Sequence, residues 1–123
     1  MIARVSWKLT VRFGSKVQRT RFAALDEALD ALEQRATQLS NDGHRKPVDV
    51  RYKRFEAVQQ VTARLELAGP QRLLPSVRAG VDVRGDGSIE AYLGRVRREV
   101  LRQRKGETPY RALRRALGKA QDT

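Results

Sequence analysis

Apolar and polar residues alternate at the start of the chain. Every second residue of Ala3–Phe13 is apolar, and the residues between them are basic or carry a hydroxyl group. This period of two predicts a half-buried strand. Gly14-Ser15 suits a two-residue hairpin turn, so Lys16–Phe22 is predicted to run back antiparallel, with Phe22 opposite Trp7 on the core side.

The register of this hairpin gathers basic side chains on its outer face. Counting from the turn places Lys8 opposite Arg21, and the outer face then carries four cations and no acid: Lys8, Arg12, Arg19 and Arg21. Like charges that face each other across strands destabilise a sheet. An acidic partner on this face would relieve the repulsion, so the hairpin is the first candidate binding surface.

A period of 3.6 residues follows the hairpin. Leu25–Ser40 has one apolar stripe, formed by Leu25, Ala28, Leu29, Leu32, Ala36 and Leu39. The pattern predicts an amphipathic helix that ends at Asn41-Asp42-Gly43. Three acids in its early turns suit the positive end of the helix dipole, and a nucleic acid should avoid this acidic element.

The rest of the chain returns to short alternating segments. Strands are predicted at Val48–Tyr52, Ala57–Leu67, Val77–Val83 and Ser88–Val100, with a turn at Gly85-Asp86-Gly87. Thr108-Pro109 is typical of a helix start, and Tyr110–Leu117 is predicted as a short helix closed by Gly118. The order β-β-α-β-β-β-β-α indicates an α+β fold, an antiparallel sheet with two helices on one face.

Length and composition exclude several classes of protein. The 123 residues fit a single domain, predicted to span 1–120 with a frayed tail at 121–123. Absence of cysteine excludes disulfides and thiolate metal sites, and a single histidine argues against a histidine metal site and most acid–base enzymes. No segment suits a membrane span, and Met1–Val5 does not resemble a secretory signal, so a cytoplasmic protein is predicted.

The charge points to a polyanion. The chain has 26 basic and 14 acidic residues, a formal net charge of +12. Arginine supplies most of the cations, and its guanidinium binds phosphate through two hydrogen bonds. A GC-rich genome explains arginine over lysine but not the excess of base over acid, which predicts attraction to nucleic acid.

The strongest cluster of cations is C-terminal. Residues 95–119 hold ten cations and two acids, and the predicted phosphate contacts there are Arg95, Arg97, Arg98, Arg102, Arg104, Lys105, Arg111, Arg114 and Arg115. Gly106 and the Thr108-Pro109 helix start would direct backbone N–H groups towards a phosphate. The competing interpretation is a solvated arginine-rich surface.

Other candidate sites have simpler explanations. Asp82, Asp86 and Glu90 flank one turn and would suit a metal-dependent nuclease, but turn chemistry and pairing with arginine explain them as well. Tyr52 and Phe55 lie among basic residues and are the better candidates for stacking on bases. Trp7, Phe13 and Phe22 are predicted to pack in the core.

Two families have a similar order of elements. The run from Leu25 to Leu117, through Gly69-Pro70 and the strands Val77–Val83 and Ile89–Leu93, resembles the double-stranded-RNA-binding domain in order. That family's lysine cluster is matched only by Arg102, Arg104 and Lys105. The family's basic loop with a histidine has no counterpart in this chain. The N-terminal hairpin of this chain is a further departure from the family. The start of the chain, with Trp7, Gly14 and Phe22–Leu32, resembles the arm-binding domain of phage-type integrases. Both resemblances imply contact with phosphates and groove shape.

Three functions follow as hypotheses. The first is a non-enzymatic nucleic-acid-binding module, with RNA or a structured duplex favoured and no cofactor. The second is an interaction protein that docks on a ribonucleoprotein, a phage particle or an acidic protein. The third is a small metal-dependent nuclease that uses the three carboxylates. The exposed strand edges leave the oligomeric state open.

Overall fold

The computed structural model describes residues 6–45, 60–69, 78–94 and 98–122. The elements are β1 (Trp7–Phe13), β2 (Lys16–Phe22), α1 (Leu25–Arg45), β3 (Val61–Ala68), β4 (Arg78–Arg84), β5 (Ile89–Gly94), β6 (Arg98–Val100) and α2 (Pro109–Asp122). Several predicted features lie outside the described residues: residues 3–5 of the first strand, the strand Val48–Tyr52, Phe55, Arg95 and Arg97.

All six strands form one antiparallel sheet in the order β2-β1-β3-β4-β5-β6. The predicted α+β class and the order of strands and helices are confirmed. The hairpin has the predicted register, with Trp7 opposite Phe22 and Lys8 opposite Arg21. Gly14, with φ of 56°, supplies the left-handed backbone that the two-residue turn requires.

The core lies between the sheet and the two helices. Alternate strand residues and the apolar helix stripes bury each other, and the largest fully buried apolar side chains are Trp7, Leu32, Leu65, Leu67, Leu113 and Leu117. Helix α1 packs on β1, β3 and β4, whereas α2 packs on β4 and β5. Trp7 is buried, and Phe13 and Phe22 pack partly against the core, as the alternation predicted.

The two helices extend further than the sequence predicted. Helix α1 continues through Gly43 to Arg45, so it includes the start of the predicted basic linker. Helix α2 continues through Gly118 to Asp122, into the three residues expected to fray. A glycine inside a helix costs only about 1 kcal/mol relative to alanine, which does not by itself stop the helix. The predicted start of α2 is present, because the Thr108 hydroxyl accepts a hydrogen bond from the Arg111 N–H (3.1 Å).

The predicted strand Ser88–Val100 is two strands in the structure. Strand β5 ends at Gly94, and β6 pairs antiparallel with it, so that Tyr92 faces Val100 and Gly94 faces Arg98. The alternation changes phase within this segment, because the apolar residues Ile89, Ala91 and Leu93 are at odd positions whereas Val96 and Val100 are at even positions. The split places β6 at one edge of the sheet and the hairpin strand β2 at the other.

Candidate nucleic-acid interface

The side of the sheet away from the helices, here called the outer face, concentrates positive charge. Strand register places eight cations there: Lys8, Arg12, Arg19, Arg21, Arg64, Arg78, Arg84 and Arg98. It also places three acids there: Glu66, Asp82 and Glu90. The two helices and the loop 101–108 are closer to balance.

In the two helices and the loop 101–108, the described side chains comprise seven cations and five acids. The cations are Arg35, Arg102, Arg104, Lys105, Arg111, Arg114 and Arg115, and the acids are Asp26, Glu27, Asp30, Glu33 and Glu107. The excess of cations is therefore larger on the outer face, where it is five, than in the helices and loop, where it is two.

The four hairpin cations predicted as site residues lie together on the outer face. Arg12, Arg19 and Arg21 are exposed, and Lys8 is half-buried. Among the described residues, no acidic side chain forms an ion pair with any of them. The repulsion between Lys8 and Arg21 across the strands is thus uncompensated within the described part of the fold.

The acids of the outer face belong to a polar cluster on β3–β6. The Asp82 carboxylate is 0% exposed and accepts a hydrogen bond from Arg64 Nε at 2.9 Å, and Arg98 also pairs with it. Glu90 pairs with Arg84 at 2.9 Å. The hydroxyl of Tyr92 donates a hydrogen bond to Glu66 at 3.1 Å.

Tyr92 is at the centre of this polar cluster. Its side chain is buried, and the guanidinium groups of Arg98 and Arg64 lie 4.6 and 5.9 Å from the ring centroid. Burial, with the nearby charge of Glu66, raises the pKa of Tyr92 above its usual value. Tyr92 therefore stays neutral and serves as a packing group rather than a stacking surface for a base.

Arg98 has a different environment from the hairpin cations. Its guanidinium spans the Tyr92 ring to reach Asp82, and it also lies 3.9 Å from Glu90. Partial burial and the positive charge of Arg64 lower the pKa of Arg98. Its charge is largely neutralised by carboxylates within the fold.

The C-terminal cluster likewise contains some cations that are paired with acids and others that are not. Arg114 pairs with Asp26 (2.6 Å) and Asp30 (3.0 Å) on α1, which links the two helices. Arg115 forms a two-pronged pair with Glu107, with both N–O distances at 3.0 Å. The exposed cations that form no ion pair with an acid among the described residues are Arg102, Arg104, Lys105 and Arg111, and of these Arg104 is near enough to Glu107 for its charge to help lower the pKa of that carboxyl.

Glu107, in the loop just before α2, is engaged by hydrogen bonds within the fold. Its carboxylate accepts a hydrogen bond from the backbone N–H of Arg104 (2.9 Å) as well as the pair from Arg115. These hydrogen bonds lower the pKa of Glu107 to about 2. The carboxylate of Glu107 is thus satisfied by Arg104 and Arg115, while at the start of α2 it is the Thr108 hydroxyl that accepts a hydrogen bond from the Arg111 N–H.

The two predicted basic surfaces lie apart. The hairpin is at one edge of the sheet and β6 with its following loop is at the other, five strand spacings or roughly 24 Å away. Helix α2 packs on the opposite side of the sheet from the outer face. The hairpin cations and the cations of α2 therefore cannot form one continuous patch.

The three carboxylates of the nuclease hypothesis are engaged by other groups. Asp82 and Glu90 pair with arginines, and Asp86 accepts hydrogen bonds from the backbone N–H and hydroxyl of Ser88. These bonds from Ser88 lower the pKa of Asp86. Among the described residues, no group of three or more His, Asp or Glu side chains is arranged to hold a metal ion.

Three cations of the outer face, Arg64, Arg78 and Arg84, were missed by sequence reasoning. Arg64 and Arg78 fall on the polar side of their strands, a position that alternation alone could have indicated. Their proximity to the hairpin depends on the pairing of β1 with β3, residues more than 50 positions apart in the chain. No sequence pattern within either strand predicts that pairing.

Comparison with known proteins finds no relative. The chain matches no protein-family model, and neither a curated protein nor a solved structure is significantly similar to it. In the described part of the chain, neither helix has the length and apolar character needed to cross a bilayer.

Proposed function

We propose that this protein is a non-enzymatic module that binds nucleic acid through its phosphate backbone, and that the outer face of the sheet is the binding surface. The observation that carries the proposal is the distribution of charge. Eight cations and three acids lie on the outer face, whereas the helices and the loop 101–108 are nearly balanced.

The arrangement of the acids strengthens the proposal. All three lie on β3–β5, where hydrogen bonds or ion pairs within the fold engage them. The β1–β2 half keeps Lys8, Arg12, Arg19 and Arg21 without an acidic neighbour among the described residues. A polyanion gains the most where cations are exposed and uncompensated.

The side chains on this surface favour a duplex or a structured RNA over a flexible single strand. Single-strand binders combine cations with exposed aromatic rings on which bases stack. In the part of the chain that the structure describes, Trp7 and Tyr92 are buried, and the remaining aromatic side chains are partly covered by the core. Charge without a stacking platform suits phosphate contacts along a preformed backbone.

This proposal moves the binding surface away from the C-terminal cluster. Arg98, Arg114 and Arg115 are paired with acids of the protein. Arg102, Arg104, Lys105 and Arg111 remain exposed, but they lie in the layer that also carries the acids of α1. They lie outside the proposed binding surface and are assigned no phosphate contact.

Fluorescence-anisotropy titrations test this function. The probes are a duplex DNA, a duplex RNA and a single strand of matched sequence, with heparin as a polyanion that has no helix geometry. We expect duplex binding to weaken steeply with salt, with a log–log slope of about −3 to −4 on duplex DNA for four phosphate contacts. Affinity that is flat in salt would contradict phosphate binding. Equal affinity for all four probes would favour an acidic protein or ribonucleoprotein partner instead.

A further inference from the structure

One row of residues crosses the whole outer face at the end of the sheet where β1 begins. Successive cross-strand pairs connect it through all six strands. In order from β2 to β6, the row is Arg21, Lys8, Ala68, Arg78, Gly94 and Arg98. Four of the six positions are cations, and the two others are the small residues alanine and glycine.

This end row differs from the next two rows of the same face. The second contains Glu66, in line with Arg19, and the third contains Asp82 and Glu90, in line with Arg12. Among these rows, formed by described residues, only the end row lacks an acid. A phosphate backbone laid along it meets no carboxylate.

Arg78 is the member of the row that extends the hairpin surface. Its side chain is exposed, and no acidic side chain in the described ranges pairs with it. Its neighbours in the row, Ala68 and Gly94, are too short to shield it from a ligand. Arg98, at the far end, is instead turned towards Asp82.

We propose that Arg21, Lys8 and Arg78 form a phosphate track that crosses β2, β1, β3 and β4, and that one strand of a double-stranded nucleic acid lies along it. The inference rests on the proposed function and adds to it the direction of the backbone and a contact residue, Arg78. The track spans three strand spacings, about 14 Å. One strand of a duplex presents roughly four phosphates over that length of its axis.

The test compares two single neutralisations of exposed arginines. Arg78→Gln removes a cation of the track, and Arg111→Gln removes a cation of α2 with the same change in net charge. On a short duplex DNA of mixed sequence, Arg78→Gln is expected to weaken binding three- to tenfold and to make the log–log salt slope about 0.9 shallower. Arg111→Gln should change the affinity by less than twofold and leave the slope unchanged.

A third variant and a melting curve separate charge from folding. Arg78→Lys keeps the cation and should bind within about twofold of the unmodified protein, with all variants melting at the same temperature. If Arg78→Gln and Arg111→Gln behave alike while the unmodified protein binds duplex in a salt-dependent way, the track is wrong and the proposed function stands. If the unmodified protein shows no salt-dependent binding, the proposed function and the track both fail.

Discussion

Replacing Gly80 by alanine is expected to destabilise the fold by about 3 kcal/mol or more. Gly80 lies in β4, an interior strand that has three strands on one side of it in the sheet and two on the other. A Cβ atom there would collide with the carbonyl oxygen of Leu65 and lie 2.9 Å from the Cα of Glu66. Both are backbone atoms of β3, which is paired on both sides and cannot move away.

The surroundings of Gly80 explain why the strands approach so closely there. Gly80 lies between Glu66 and Tyr92 in its row, and the Tyr92 hydroxyl reaches across to Glu66. The tyrosine side chain therefore passes across β4 at the position of the glycine. Covering a strand glycine with a neighbouring aromatic ring is a known way to stabilise a sheet.

Gly94→Ala is the matched control. Gly94 also faces outward, one strand away, but the nearest atom to an added Cβ is the carbonyl oxygen of Arg78 at 3.9 Å, which is ordinary contact. Replacing a strand glycine that has room is expected to stabilise by about 0.4–1 kcal/mol, because the unfolded chain loses freedom. Urea denaturation of both variants measures the difference. Similar unfolding free energies for the two would contradict this account of Gly80.

The double variant Arg64→Met with Arg98→Met is expected to cost about 3–5 kcal/mol of unfolding free energy. Asp82 is 0% exposed, whereas the side chains of Arg64 and Arg98 are 43% and 38% exposed. The cations thus stand between the carboxylate and water. Methionine keeps an apolar cover of similar length but leaves the buried charge without a partner.

The double alanine variant at the same two positions distinguishes this mechanism from loss of ion pairs alone. Alanine removes the cover along with the charge, so water can reach Asp82 and hydrate it. The expected cost is then smaller, about 1–2 kcal/mol, typical of half-exposed ion pairs and lost stem packing. Chemical denaturation of the two double variants measures both. If the double alanine variant lost as much unfolding free energy as the double methionine variant, the arginine stems would not control the hydration of Asp82.

The sequence pattern predicted the elements that depend on residues close together in the chain. The Ala3–Phe13 alternation and the Gly14-Ser15 turn fix the hairpin, and the observed register agrees pair by pair. The apolar stripe of α1 and the Thr108 cap of α2 were also predicted, since each depends on residues within one or two turns. Helix ends were predicted less well, because packing can carry a helix through a glycine such as Gly43 or Gly118.

The candidate site depends on contacts that span the chain. The sequence showed that Lys8 and Arg21 face each other, but not that Ala68 and Arg78 continue their row. It also could not show that Arg114 and Arg115 are neutralised, since Asp26 is 88 positions from Arg114. The dense C-terminal cluster therefore looked stronger in sequence than it is in three dimensions, where, among the described residues, three of its arginines are paired with acids and none of the four hairpin cations is.

Nucleic acid is proposed to bind the outer face and not the C-terminal cluster. The most direct measurement is a duplex titration of two charge-matched double variants, Arg19→Glu with Arg21→Glu and Lys105→Glu with Arg111→Glu. All four residues are exposed, and each pair lowers the net charge equally. We expect the first pair to weaken binding tenfold or more and to make the salt slope shallower by about 2, with little change for the second. Equal losses, or a larger loss for the second pair, would contradict the claim.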